Sequence, residues 1–116
     1  MGAFDRFWKR DNLLKKTIVI DDSLYEKLNE ISKGIYHTST NQLINASIEE
    51  LIKSKNVKLY CKPSGELSIP RSLQIRESLF NELEKMRDEY NISIYKLINI
   101  AIKNAIDELE EENKEE

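Results

Sequence analysis

Residues 17–53 and 72–107 carry one motif twice, and neither copy is long enough to bury a core by itself. The first copy opens Thr17-Ile18-Val19-Ile20-Asp21-Asp22-Ser23-Leu24-Tyr25 and reaches Leu28. The second opens Ser72-Leu73-Gln74-Ile75-Arg76-Glu77-Ser78-Leu79-Phe80 and reaches Leu83, an offset of 55. Further on, Tyr36 to Asn45 answers Tyr90 to Asn99 at an offset of 54, with Leu43-Ile44-Asn45 repeated as Leu97-Ile98-Asn99 and Ile48 as Ile102. The duplication says what each unit packs against: its own copy.

Periodicity assigns the elements. Ile18 and Ile20 alternate with Thr17 and Val19, and Leu73 and Ile75 alternate with Ser72, Gln74 and Arg76. That is the period of a half-buried strand, expected over 16–20 and 71–76. A helix-start signal follows each strand. In the first copy it is Asp21, Asp22 and Ser23, with Glu26 placed to complete a capping box; in the second it is Ser78 with Glu77 in the first turn. Leu24, Leu28 and Ile31 then form one stripe, as do Leu79, Leu83 and Met86. Gly34 and Tyr90-Asn91 suit the ends of these helices, and His37 reads as a turn residue. The second helices start after Ser39 and Ser93. Their apolar faces are wide: Leu43, Ile44, Ile48, Leu51 and Ile52 in one, Ile94, Leu97, Ile98, Ala101, Ile102, Ala105 and Ile106 in the other. Helices apolar over so much of their circumference belong inside the packing unit.

Between the copies, Pro63-Ser64-Gly65 separates two alternating runs and suggests a turn within a small hairpin. Seventeen residues, Ser54 to Pro70, span up to ~55 Å at about 3.3 Å each. The preceding helix of about 14 residues is only ~21 Å long. The second strand can therefore return to lie antiparallel beside the first. The expected division is 1–14 as an N-terminal extension, 15–54 as the first repeat, 55–69 as connector, 70–109 as the second repeat and 110–116 as an acidic tail.

The 116 residues suit one domain, and 40% hydrophobic content is enough for its core. No run of 18 apolar residues offers a membrane span, and the N-terminus has no apolar stretch followed by a small-residue cleavage site. Cys61 is the sole cysteine, which fits a reducing, cytoplasmic setting. The net charge of −3 conceals its distribution: residues 1–16 hold five basic and two acidic side chains, residues 107–116 one basic and seven acidic. The acidic excess is thus a solvated end, and the total does not exclude a nucleic-acid-binding face. No Gly-rich phosphate loop, Cys/His cluster or nucleophile–base arrangement is present, so neither catalysis nor a metal or other cofactor is expected.

A strand of alternating polar and apolar residues, a helix, a turn with serine and a buried helix: this order resembles the ribbon-helix-helix family of DNA-binding proteins, the MetJ, Arc and CopG type. Ser72-Leu73-Gln74-Ile75-Arg76 is similar to an Arc ribbon, and Thr17-Ile18-Val19-Ile20 to the CopG kind. The likeness covers about 15–53 and 70–107. It implies a mainly α fold with a short two-stranded antiparallel β-ribbon. With both copies in one chain, it further implies an intramolecular pseudo-dimer similar to tandem TraY-type proteins. Pairing between chains remains the alternative.

The function implied is sequence-specific binding of double-stranded DNA by the ribbon in the major groove, by a transcriptional repressor or an accessory factor of a plasmid or mobile element. Thr17 and Val19 from one strand, with Ser72, Gln74 and Arg76 from the other, would meet base edges. Arg76 offers two donors to guanine, Gln74 the donor–acceptor pair that adenine requires, and Thr17 and Val19 methyl groups to thymine. Phosphates would be held at the start of the second helices by Thr38, Ser39 and Ser93, and by Lys15 and Lys16 ahead of the first ribbon strand. Several molecules lining up along DNA would be compatible with this scheme.

Outside both repeats, Phe4, Phe7 and Trp8 share one helical face among Arg6, Lys9 and Arg10. Residues 1–12 are thereby a candidate docking segment for a protein partner, with a membrane interface less favoured for so short a stretch. The competing function is a protein-interaction module, an antitoxin or membrane-linked adaptor, acting through this segment.

Overall fold

A computed structural model describes residues 12–34 and 38–114, with side chains as far as Glu112. The order is β1 (Leu13–Asp21), α1 (Asp22–Gly34), α2 (Thr40–Ser54), β2 (Ser68–Arg76), α3 (Glu77–Tyr90) and α4 (Ile94–Lys114). The fold is mainly helical, with one two-stranded antiparallel sheet made by β1 and β2 of the same chain. Each strand has nine residues, longer than its alternating core suggested, because pairing continues from Leu13↔Arg76 to Asp21↔Ser68. Thr17 faces Ser72 at the centre. The acidic end is helical as far as Lys114, in continuation of α4.

One apolar core lies beneath the sheet. Ile18, Ile20, Leu73 and Ile75 enter it from the strands, Leu24, Leu28, Leu79, Leu83 and Met86 from α1 and α3. Ile44, Ile48, Leu51, Leu97, Ile98, Ala101, Ile102 and Ile106 enter it from α2 and α4, whose mutual packing is the most extensive between helices. The expected stripes are therefore the buried ones, apart from a few flanking residues such as Ile31, Leu43 and Ile52, which are half-buried. Ile100 is buried as well, an extra contribution from α4 that the stripe did not include. Each fully buried Leu or Ile contributes roughly 1.5–3 kcal/mol, so this cluster dominates stability.

The connector departs from expectation. Val57–Tyr60 and Glu66–Ile69 do not form a hairpin; a single turn closes instead, Glu66 N–H donating to the Pro63 carbonyl at 3.1 Å with Gly65 at φ 85°. The reason is competition for the second run. The Leu67 carbonyl accepts the Asp22 N–H at 2.8 Å, and the Glu66 carboxylate accepts the Ser23 N–H and hydroxyl at 3.0 and 2.6 Å. Glu66 thus caps α1, the role the local pattern assigned to a Ser23–Glu26 box. Ser68 and Ile69 are absorbed into β2.

Candidate nucleic-acid interface

The two strands expose one row of side chains and turn the other inward. Leu13, Lys15, Thr17 and Val19 oppose Arg76, Gln74, Ser72 and Pro70 on the outer row. Leu13, Lys15, Thr17, Ser72, Gln74 and Pro70 are exposed, while Val19 and Arg76 are half-buried. Four of the residues expected to meet bases, Thr17, Val19, Ser72 and Gln74, are thereby brought onto one face. Lys15, expected as a phosphate contact, belongs to the same row and faces Gln74. Lys16 lies in the opposite row, its amine 4.8 Å from the centre of the Phe80 ring, so the adjacent lysines are split between the two faces. Arg71 in β2 makes the corresponding contact, 4.0 Å over Tyr25, and pairs with Asp22 at 3.0 Å.

Two buried asparagines hold the open edges of the ribbon. Asn99 of α4 donates to the Val19 carbonyl at 2.9 Å and accepts the Asp21 N–H at 2.9 Å. Asn45 of α2 donates to the Gln74 carbonyl at 2.8 Å and accepts the Arg76 N–H at 3.0 Å. These strand residues correspond at the offset of 55, and the asparagines at 54. The bonds also fix which residues use the ladder: outer-row residues aim their backbone groups at the edges, and inner-row residues pair across the ribbon. Pro70, in the outer row, therefore removes no ladder donor. Without Asn45 and Asn99, four edge groups would be left without partners beneath helices.

Arg76 sits at the end of the ribbon as the residue preceding α3. Its guanidinium pairs with Glu49 at 2.9 Å, and Glu49 also meets Lys53 at 3.4 Å. Arg76 first, then Lys53, holds the Glu49 carboxyl below the usual carboxylate range. At the corresponding position of β1, Asp21 is 2% exposed. Its carboxylate accepts Tyr60 at 2.5 Å and Ser68 at 3.0 Å, and pairs with Lys62 at 3.1 Å. Burial raises the Asp21 pKa, but those hydrogen bonds and the Lys62 charge outweigh it and leave a net lowering. The Tyr60 phenol moves upward, first through burial and then through the adjacent Asp21.

The α2 start is a formed cap. Ser39 Oγ accepts the Gln42 N–H at 3.1 Å and the Gln42 side chain accepts the Ser39 N–H at 3.3 Å. Thr38 hydrogen-bonds Gln42 as well, and Thr40 ties this end to Asn29 of α1 at 3.0 Å. Ser93 precedes α4 and its carbonyl accepts the Leu97 N–H at 3.0 Å, but its hydroxyl is buried without a hydrogen-bond partner. The two expected phosphate sites thus differ in their hydroxyls. Phe4, Phe7, Trp8 and His37 lie outside the described residues.

Among the described residues, no group of His, Cys, Asp and Glu is placed to hold a metal ion, and no helix is long and apolar enough to cross a membrane. Sequence reasoning missed Asn45, Asn99, Glu49 and Asp21 as organisers of the interface. A signal for the asparagines existed: a polar residue at matching positions within two apolar helix faces. No family model matches the chain, and no curated protein or solved structure matches it significantly.

Proposed function

We propose that the chain is a single-chain ribbon-helix-helix pseudo-dimer that binds double-stranded DNA sequence-specifically, as a repressor or an accessory factor at a plasmid or mobile-element site. The observation that carries this reading is the ribbon closed within one chain, with Lys15, Thr17, Ser72 and Gln74 exposed on a single face. A two-stranded ribbon fits a major groove about 12 Å wide, where only outward side chains reach base edges. The pseudo-dimer is supported by the register: Thr17 and Ser72, equivalent at the repeat offset, face each other, as a local two-fold axis requires. Reciprocal contacts support it too. Lys16 lies over Phe80 and Arg71 over Tyr25, and each asparagine serves the strand of the other repeat.

The acidic end is remote from one of the two expected phosphate sites, the start of α4, but it lies nearer the start of α2, where Leu43 lines one cavity with Glu108 and Glu112. α4 has 21 residues, which at 1.5 Å each makes it about 31 Å long. Its glutamate-rich end is therefore more than two screening lengths of about 8 Å from the start of α4, where a phosphate would lie. About the central Thr17–Ser72 pair, the reading row carries Lys15 and Gln74 at one end and Val19 and Pro70 at the other, so its two halves differ chemically, and the bound site is asymmetric. Selection from a random duplex library at physiological salt tests the proposal. The expected result is one enriched, non-palindromic site whose affinity falls steeply with salt. Gln74→Ala should relax preference at one base pair by roughly 1–3 kcal/mol. A library that returns no enriched duplex refutes sequence-specific binding.

A further inference from the structure

We propose that Glu49 is an affinity-setting residue for DNA: an intramolecular competitor that holds Arg76 off the reading face until a base takes it. The inference rests on the DNA-binding reading above and concerns one arm of the same face. Arg76 belongs to the outer row, two positions beyond Gln74, yet its guanidinium is engaged by Glu49 at 2.9 Å. Glu49 lies ten positions into α2 from Ser39, about 15 Å along the helix from the end where phosphate would lie. Asn45, Glu49 and Lys53 occupy successive turns of one α2 face: the first holds the Arg76 backbone, the second its side chain, and the third anchors the second.

The fold does not require this arrangement. The corresponding α4 face carries Asn99, Lys103 and Asp107; the asparagine is kept, but Lys103 pairs with Asp107 at 2.7 Å. At the matching ribbon end, Asp21 is held by the connector. The backbone bond is thus common to both ends, while a carboxylate restraining an outer-row cation occurs at one.

Competition of this kind has a definite consequence. Any complex that uses Arg76 must first break the Glu49 pair, so removing the carboxylate strengthens such a complex by the occupancy of that pair. The gain is largest where Arg76 binds best, so the preference at its base pair sharpens rather than relaxes. For an exposed pair the factor is about two- to fivefold.

The test uses the full chain and the duplex that wild type selects, with binding measured for wild type, Glu49→Gln, Arg76→Ala and the double variant. Glu82→Gln, which removes the exposed Glu82–Lys85 pair on α3, serves as the control for loss of one negative charge. Expected are a two- to fivefold tighter complex for Glu49→Gln, a stronger preference at the base pair that Arg76→Ala relaxes, and a gain reduced to that of Glu82→Gln once Arg76 is alanine. Weaker or unchanged binding by Glu49→Gln, or an equal gain in the Arg76→Ala background, overturns the competitor role while leaving DNA binding intact. Failure of wild type to select any duplex overturns both.

Discussion

Replacing Asn99 with leucine removes the edge bonds of β1 while keeping four side-chain heavy atoms in the same branched outline, so no cavity is opened. Three hydrogen bonds are lost, to the Val19 carbonyl, the Asp21 N–H and the Tyr95 carbonyl. The Tyr95 carbonyl loses only a second donor, because its place in α4 leaves it within the helical ladder. The other two groups have no alternative partner beneath α4, where Asn99 is 5% exposed. Leaving a buried backbone group unsatisfied costs about 1–3 kcal/mol, so two give roughly 2–4 kcal/mol after partial relaxation. For a chain of 116 residues at about 4 °C per kcal/mol, the melting temperature falls by roughly 8–16 °C. Urea unfolding followed by circular dichroism measures the loss. Amide exchange localises it: the Asp21 N–H should lose its protection while the Arg76 N–H, held by Asn45, keeps its own. Asn104→Ala is the control, because its single bond to the Asn56 carbonyl is exposed, and should change stability by about 0.5 kcal/mol or less. A loss below about 0.5 kcal/mol for Asn99→Leu, with Asp21 exchange unchanged, would refute the claim that the asparagine holds the ribbon edge.

Tyr60→Phe removes one donor from the Asp21 carboxylate and should cost roughly 1.5–3 kcal/mol at neutral pH in a denaturant titration, the range for a hydrogen bond to a charged group. Because the folded pKa of Asp21 is lowered, its contribution is present above the unfolded value and lost as pH falls through the folded one. The acid-unfolding midpoint of Tyr60→Phe should therefore move upward, and an unchanged midpoint would count against the linkage. Leu83→Ala, at a site with no measurable exposure, should lose about 2–5 kcal/mol by the same urea assay. Light scattering should return the 13.6 kDa mass of one chain over a wide concentration range. A doubled mass throughout would contradict a monomeric pseudo-dimer.

Much of the fold was legible because it rests on periodicity. Alternation at Ile18, Ile20, Leu73 and Ile75, and the stripe through Leu79, Leu83 and Met86, depend on nearest neighbours and the pitch of the element. Strand order was legible for a different reason, since the connector length permitted the antiparallel return. The parts that were not legible are those where a distant group displaces a local one. Glu66 caps α1 across more than forty positions, which no local pattern around Ser23 encodes. Lys15 and Lys16 look like one basic pair in sequence, but β1 extends over both, and a strand sends neighbours to opposite faces. Arg76 was legible as an outward residue; its attachment to Glu49 was not, because 27 positions separate them.

The differences between the copies form a pattern of their own. Asp21 and Arg76 occupy corresponding positions, as do Glu49 and Lys103, and Lys53 and Asp107; at each, the sign of charge is reversed. As folded, the asparagine-bearing face of α2 meets β2, and that of α4 meets β1. Pairing two first copies would set Asp21 beside Glu49, and pairing two second copies would set Arg76 beside Lys103. Both are like-charge contacts, and the first involves a carboxylate too buried for solvent to screen. Only unlike copies match, which penalises the alternative partners that a duplicated sequence otherwise permits. On the proposed reading, the same divergence gives the reading row unlike halves. The substitutions that blur the repeat in sequence are then those that commit the two copies to each other and to an asymmetric site.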